Sequence, residues 1–170
     1  MDSERINRIV EKYGLEKFRV KQLKNAVFDK SVCSYDQIST LKKDLREILK
    51  EQEPLLSLSE HKVFESSDNR TFKALLKLAD GRLIESVLMS PKPDHWTACI
   101  SSQVGCGMAC TFCATGKMGL LRNLKSEEIT DQVLFWRQFI EKRKLSDIWF
   151  SALFRFLCRS SSTSIAANSL

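Results

Sequence analysis

The sequence predicts an α/β protein that begins with a small helical domain. Apolar residues recur at helical spacing over residues 1–52, and two β-prone runs then meet at an Asp-Gly pair. A strand, a loop, a helix and a second strand follow in that order, which is the first unit of an α/β fold. The 170 residues suffice for one sizeable core or two small ones.

Three helices are predicted before Pro54, and together they define a helical domain over residues 1–55. Gly14 is predicted to end the first helix, and Ser34 and Ser39 are candidate N-caps for the third. The apolar positions of the three helices are Ile6, Ile9, Val10 and Tyr13, then Phe18, Val20, Leu23, Ala26 and Val27, then Ile38, Leu41, Leu45, Ile48 and Leu49.

An antiparallel hairpin is predicted over residues 71–89. Its two runs are joined by Asp80-Gly81, a pair that suits a type I′ turn because such a turn needs positive φ at both central positions. A short apolar strand over residues 96–102 then leads into a loop rich in glycine and cysteine. The hairpin and the first part of the core that follows are predicted to occupy residues 56–150.

A long helix is predicted to follow the cysteine loop, with Ser126 as its N-cap. Its apolar face includes Trp136 and Ile140, which we expect to be poorly covered if the chain carries only part of a core. The next strand begins within residues 147–150. Residues 151–170 are Ser-rich toward the end and are predicted to be an unrelated, disordered tail.

The composition excludes some classes of protein and favours one kind of partner. No apolar run approaches the roughly 18 residues that span a bilayer, so an integral membrane protein is excluded. The N-terminus does not resemble a signal or transit peptide, which predicts a cytoplasmic location, with an organelle as the alternative. The net charge of +6 favours an anionic partner such as RNA, although a solvated basic surface explains it equally well.

Cysteines in the loop form the most informative motif, Cys106-x3-Cys110-x2-Cys113. Three closely spaced thiolates can hold three corners of a four-iron–four-sulfur cluster and leave one iron open. Zinc is the alternative, with Cys99 or His95 as a fourth ligand, but zinc modules usually pair two short Cys-x-x-Cys knuckles. The spacing therefore favours the iron–sulfur cluster over zinc, and both over three cysteines without a ligand.

The string CISSQVGCGMACTFCATGKMGLLRNL, residues 99–124, resembles the radical S-adenosylmethionine (radical SAM) family of ribosomal RNA adenine-C2 methyltransferases, which also modifies some transfer RNAs. The similarity extends backward through GRLIESVLM and, more weakly, into the helical domain, which resembles the family's N-terminal accessory domain. The resemblance implies that residues 56–150 contain the start of a radical SAM partial (β/α) barrel, truncated after its first strand–loop–helix unit.

The resemblance also implies cofactors and residue roles. Cys106, Cys110 and Cys113 would hold a 4Fe-4S cluster whose open iron binds S-adenosylmethionine, and Phe112 would lie at that cofactor. Reductive cleavage of S-adenosylmethionine then yields the radical that adenine C2 requires. Glu85 matches the family's general base, and Cys99 matches the thiol that resolves a covalent enzyme–RNA adduct. Taken alone, Glu85 has the lesser alternative of a carboxylate on a wet strand face, and Cys99 has that of a small buried side chain.

The sequence departs from the family pattern after residue 148. Trp149 to Phe154 replace the family's Gly-Glu-Pro stretch, and Cys158 does not resemble the methyl-carrying cysteine. The predicted function is methylation of adenine C2 in ribosomal RNA, and in transfer RNA for some members, by an enzyme of which this chain is an incomplete and inactive part. The predicted partners are RNA and an electron donor, with a monomeric complete fold and no membrane. The alternative is a non-catalytic RNA- or zinc-binding fragment.

Overall fold

A computed structural model of the chain describes residues 1–93 and 95–145, together with the backbone of a last strand at 149–154. The helices are α1 (Ser3–Lys12), α2 (Phe18–Lys24), α3 (Lys43–Gln52), α4 (Ala114–Lys117) and α5 (Ser126–Arg143). The strands are β1 (Leu58–Glu65), β2 (Thr71–Leu78), β3 (Leu83–Lys92), β4 (His95–Ile100), β5 (Gln103–Gly105), β6 (Leu120–Asn123) and β7 (Trp149–Phe154). No helix in the described part of the chain is both long and apolar enough to cross a membrane.

The first two predicted helices are confirmed, and the third is wrong in its first half. Ser34 does act as a cap, but for a single 3₁₀ turn, Tyr35–Gln37, and not for α3. Ser39 caps nothing, because α3 begins only at Lys43 and its N-cap, Lys42, has no side-chain hydrogen bond. The apolar positions between the 3₁₀ turn and α3 are buried in a turn, so helical spacing alone did not distinguish the two structures.

A five-stranded sheet in the order β1-β2-β3-β4-β7 forms the centre of the fold. Strands β1 to β4 are antiparallel neighbours, and β7 pairs in parallel with β4. The predicted hairpin is therefore confirmed, but its turn is not type I′. Within the turn, only Gly81 has positive φ. The Leu78 N–H donates to the Arg82 carbonyl at 2.9 Å, so the loop between the two strands has three residues.

Helix α5 packs across one face of the sheet and carries the contact between two apolar cores. Trp136 is fully buried and Ile140 is 2% exposed, so the expectation of a poorly covered helix face is wrong. The sheet covers this face, and Leu134 of the same helix belongs to the core of the N-terminal helices. Among the described residues, α5 is thus covered by the sheet on one side and by the N-terminal helices on the other.

The start of α5 also differs from the prediction. Its N-cap is Lys125, whose N–H donates to the Glu128 carboxylate at 2.8 Å, and Ser126 is the first helical residue. The Ser126 hydroxyl instead donates to the carboxylate of Asp2 at 3.1 Å, which ties α5 to the N-terminus of α1.

Strand β7 confirms the predicted strand near residues 147–150 but continues beyond it. Its register with β4 runs from Trp149 opposite His95 to Phe154 opposite Ile100. The strand therefore extends four residues into the segment predicted as a disordered tail. The remainder of that predicted tail, residues 155–170, lies outside the described residues.

Candidate iron–sulfur and methyl-transfer site

The candidate site lies at the sheet edge where β4 ends. The chain leaves β4 at Ile100, forms β5, passes through the cysteine loop and returns along β6. Because β7 is parallel to β4, its carboxyl end lies at the same edge. In open sheets with parallel strands, the crevice outside the carboxyl ends is the usual place for a ligand.

The cysteine loop is closed at its base by the β5–β6 pair. The Cys106 N–H donates to the Gly119 carbonyl at 3.0 Å, directly beyond the paired strands. Gly105 has a φ of +78°, and a Cβ there would lie 2.0 Å from the Gly119 carbonyl oxygen. Only glycine permits this approach of the two chain segments. Residues 106–119 therefore begin and end at one point.

A second close contact folds the loop back on itself. The Cys113 N–H donates to the Cys110 carbonyl at 3.1 Å, and Ala109 has a φ of +48°. A Cβ at Gly116, in α4, would lie 3.0 Å from the Cys110 nitrogen and 3.1 Å from its oxygen. The backbone of Cys110 thus rests on the first turn of α4, which Cys113 precedes.

The side chains of the loop are less organised than its backbone. Cys106 is buried, Cys110 and Cys113 are half-buried, and the Met108 N–H lies 3.5 Å from the Cys106 sulfur. Among the described residues, no three Cys, His, Asp or Glu side chains are gathered closely enough to hold a metal ion. Phe112 is 91% exposed. The structure therefore brings the three cysteines onto one closed loop without converging their sulfurs.

Glu85 and Cys99 share the sheet face opposite α5. Val87 pairs directly with Cys99, and Glu85 lies two residues earlier on β3, so Glu85 and Cys99 are diagonal neighbours, roughly 7–8 Å apart in such sheets. The hydroxyl of Ser101, just after β4, donates to the Glu85 carbonyl at 2.6 Å. Both predicted residues therefore lie on one face beside the start of the cysteine loop.

The Glu85 carboxylate has a cationic neighbour that sequence reasoning missed. Its Oε1 lies 2.6 Å from Nζ of Lys73 on β2, and about half of each side chain is exposed. The ion pair holds the carboxylate over the sheet face. A signal for it was present, because Lys73 alternates with buried residues of β2 and so had to share the face of Glu85.

Buried polar groups of α5 fix the end of β4, and none was predicted. The Gln132 amide, fully buried, accepts from the Ser101 N–H at 2.8 Å and donates to the Ser101 carbonyl at 2.9 Å. The Trp136 indole N–H donates to the Ser86 hydroxyl at 2.8 Å, and that hydroxyl donates to the Cys99 carbonyl at 3.1 Å. We call these contacts the α5 clamp.

Arg122 links three elements around the return strand of the loop. Its guanidinium makes two hydrogen bonds of 2.8 Å to the Glu128 carboxylate and one of 2.9 Å to Asp80 in the hairpin turn. The hydrogen bonds from Arg122 lower the pKa of Glu128 and, with burial opposing, raise that of Arg122 itself. Arg122 is therefore a structural cation that ties β6 to the hairpin turn and to α5.

The fold matches a solved structure of known class. A radical SAM methyltransferase from Sphaerobacter thermophilus superposes with a TM-score of 0.75 at 32% identity, over 88% of this chain and 44% of the other. The described fold is therefore that of part of a radical SAM methyltransferase. No protein-family model matches the sequence.

Curated relatives then identify the family. The chain is 42% identical over 142 residues to a probable dual-specificity RNA methyltransferase RlmN of Thermotoga sp. (strain RQ2), covering 82% of this chain and 40% of that protein. It is 42% identical over 132 residues to the dual-specificity RNA methyltransferase RlmN of Oleidesulfovibrio alaskensis, covering 78% and 37%. The chain belongs to this family of radical SAM RNA methyltransferases and spans about 40% of the length of these relatives.

Proposed function

We propose that this chain carries the cluster-binding part of an enzyme that methylates C2 of adenine in RNA. The observation that carries the proposal is the closed loop with Cys106, Cys110 and Cys113 at the carboxyl end of β4, in a chain 42% identical to RNA methyltransferases. Ribosomal RNA is the proposed substrate, with transfer RNA as the second, and the proposed location is the cytoplasm.

The donor set fits a 4Fe-4S cluster. Three thiols within residues 106–113 are soft ligands of the kind that hold iron–sulfur clusters, and no carboxylate belongs to the motif. The glycines at 105 and 116 let the backbone fold tightly on itself, which keeps the three cysteines on one short closed loop. When bound, the cluster and S-adenosylmethionine supply the radical chemistry that a carbon position without a nucleophilic lone pair needs.

The remaining roles belong to side chains on the sheet face. Glu85 would accept the proton from adenine C2, and Lys73, 2.6 Å from its carboxylate, would hold that carboxylate in place until substrate enters. The Cys99 thiolate would attack the sulfur through which the RNA is held, so that a disulfide forms as the carbon–sulfur bond breaks and the released carbon takes up a proton. Phe112, as an exposed aromatic beside Cys113, would cover the cofactor once it is bound.

Anaerobic reconstitution with iron and sulfide tests the cluster proposal. We expect a brown protein with a broad absorption band near ~400 nm, about four iron atoms per chain, and a similar amount of acid-labile sulfide. A colourless protein that retains one zinc per chain after the same treatment would instead support the zinc-binding fragment, and it would exclude the proposed chemistry.

A further inference from the structure

Cys110 and Cys113 form a close pair within the cysteine loop. The Cys113 N–H donates to the Cys110 carbonyl at 3.1 Å, which closes a β-turn over residues 110–113. Such a turn brings its first and last Cα atoms within about 7 Å of each other. Disulfide-bonded cysteines have Cα atoms roughly 4.4–6.8 Å apart, so the backbone of this turn suits a disulfide between its two ends.

The packing around Gly116 places the Cys113 side chain beside Cys110. A Cβ on Gly116 would lie 3.0 Å from the Cys110 nitrogen and 3.5 Å from Cβ of Cys113, so one point is within contact distance of both residues. The Cys113 carbonyl also accepts from the Lys117 N–H at 3.2 Å. Hydrogen bonds on both sides of Cys113 therefore keep the two cysteines adjacent.

Cys106 differs from this pair in its surroundings. It is buried at the base of the loop, and its sulfur lies 3.5 Å from the Met108 N–H. Cys110 and Cys113 are half-buried, and residues 111–112 between them are exposed. A dissolved oxidant therefore reaches the turn more readily than it reaches Cys106.

We propose that Cys110 and Cys113 form a reversible disulfide while the loop holds no cluster, and that this disulfide blocks cluster loading. The bond removes two of the three thiolates, and Cys106 alone does not hold a four-iron cluster. The loop thus accepts a cluster only under reducing conditions. The block on loading rests on the proposed function, whereas formation of the disulfide does not.

The oxidant of this step is a small-molecule disulfide, represented in the test by oxidised glutathione. One cysteine sulfur attacks oxidised glutathione, forms a mixed disulfide and releases one glutathione. The other cysteine sulfur then attacks the protein sulfur of the mixed disulfide, forms the Cys110–Cys113 bond and releases the second glutathione. Two protein thiols are oxidised, one glutathione disulfide is reduced, and the two thiol protons go to the two released glutathione molecules.

The first test maps the disulfides of the full 170-residue chain at different ratios of reduced to oxidised glutathione. Free thiols are blocked with iodoacetamide, and thiols released by later reduction are labelled with N-ethylmaleimide. Trypsin leaves Cys99, Cys106, Cys110 and Cys113 in one peptide that ends at Lys117, so fragment ions assign each label. We expect N-ethylmaleimide on Cys110 and Cys113 together, and iodoacetamide on the other two.

The second test measures how the disulfide affects cluster loading. Oxidised and reduced chains are mixed anaerobically with iron and sulfide, and the initial rate of absorbance increase near ~400 nm is recorded. The initial rate is the relevant quantity because sulfide itself slowly reduces disulfides. We expect loss of most of the initial rate in the oxidised chain, and full recovery after pretreatment with a phosphine reductant.

Gly116→Ala tests the geometry of the turn. Its Cβ crowds the Cys110 backbone at 3.0 Å, so the midpoint of disulfide formation should shift toward more oxidised glutathione. Gly107→Ala is the matched control, because its Cβ would lie 3.6 Å from Leu120, an ordinary contact, and the midpoint should not shift. Equal shifts in the two variants would count against the proposal.

Three further outcomes would overturn the proposal. The first is a main product whose disulfide includes Cys99 or Cys106, and the second is the absence of a Cys110–Cys113 bond at every glutathione ratio. The third is an unchanged loading rate in chains whose Cys110–Cys113 bond has been mapped. Failure of the fully reduced chain to form a cluster would instead refute the proposed function, and the disulfide map would still stand.

Discussion

The five cysteines in the described part of the chain lie in different surroundings, which support different proposed roles for them. Cys106, Cys110 and Cys113 share one closed loop, and Cys99 lies within the five-stranded sheet. Cys33 lies in the helical domain, between α2 and α3. We predict that Cys106→Ala, Cys110→Ala and Cys113→Ala each abolish cluster incorporation, because a cluster held by three thiolates needs all three ligands. Iron and sulfide per folded chain are the measurement.

Cys99→Ala and Cys33→Ala are the matched controls, and both should keep about four iron atoms per chain. If Cys99→Ala loses iron as completely as the loop variants, Cys99 is a ligand and not the resolving thiol. If Cys33→Ala does so, loss of iron reports general damage to the fold.

The candidate site residues had a signal in the sequence, whereas the residues that support them had none. Thiol spacing is visible in sequence because metal ligation needs those atoms close together on one loop. Gln132 and Arg122 gave no such signal, since a glutamine or an arginine on an amphipathic helix or a short strand is ordinarily solvated. Their roles depend on partners 31 and 42 positions away, Ser101 and Asp80, which only the tertiary fold brings near.

At the scale of elements, the α5 clamp makes one prediction about the end of β4. Gln132→Leu should leave the half-buried Ser101 N–H and carbonyl without their partner, at a cost of about 1 kcal/mol for each group. We expect lower stability in urea, a faster reaction of Cys99 with an alkylating reagent as the strand end loosens, and reduced iron incorporation. Mass spectrometry of alkylated peptides measures the Cys99 rate.

Gln138→Leu is the control on the same helix. Gln138 is also buried and donates to the Val32 carbonyl at 2.8 Å, but this partner belongs to the N-terminal helical domain and not to β4. This variant should lose comparable stability without changing the Cys99 rate or the iron content. Equal effects of the two variants on Cys99 would show that the clamp has no specific connection with the site.

The ion pairs that join β6, the hairpin turn and α5 predict a pH dependence of stability. Hydrogen bonds from Arg122 lower the Glu128 pKa below its ordinary value of 4.5. A hydrogen bond from the Arg82 N–H, with a smaller contribution from Arg122, lowers the pKa of Asp80. The unfolded chain therefore binds these protons first, so acid favours unfolding. We expect stability from this network to be complete above pH 4.5 and to fall as the pH decreases through the folded pKa of Glu128.

Urea unfolding of the chain and of Glu128→Gln between pH 7 and pH 3 measures this effect. The stability difference between them should be largest near neutral pH and should shrink below pH 4.5. Glu16→Gln, which removes an exposed carboxylate, should show almost no difference at any pH. A difference for Glu128→Gln that stays constant down to pH 3 would contradict the network's proposed contribution.

Element boundaries were predicted well where a local signal fixes them. Gly14, with a φ of +59°, ends α1, and Gly81 marks the hairpin. The errors fell where two local structures share a pattern. Ile38 and Leu41 have helical spacing but are buried in a turn. The Asp80-Gly81 pair suits a type I′ turn but lies in a longer loop, in which the Asp80 carboxylate accepts a hydrogen bond from the Arg82 N–H.

At the scale of the whole molecule, the cover of α5 shows what sequence reasoning could not supply. A partial barrel was expected to leave the face of α5 that carries Trp136 and Ile140 poorly covered. The N-terminal helices instead join α5 through Leu134 and through hydrogen bonds such as the one from Gln138 to Val32. Sequence patterns identify apolar faces but not which of several faces will meet.

The last prediction concerns activity of the 170-residue chain by itself. It spans about 40% of the length of its methyltransferase relatives, and the resemblance implies a Gly-Glu-Pro stretch at S-adenosylmethionine where this chain has Trp149 to Phe154. Nothing in FLCRSSS around Cys158 resembles the methyl-carrying cysteine. We therefore expect cluster incorporation and RNA binding without methyl transfer.

The measurement is mass spectrometry of nucleosides from ribosomal RNA after anaerobic incubation with reductant and S-adenosylmethionine, with a full-length relative as the positive control. Formation of 2-methyladenosine by this chain, with no full-length enzyme present, would show that the site is complete without those parts.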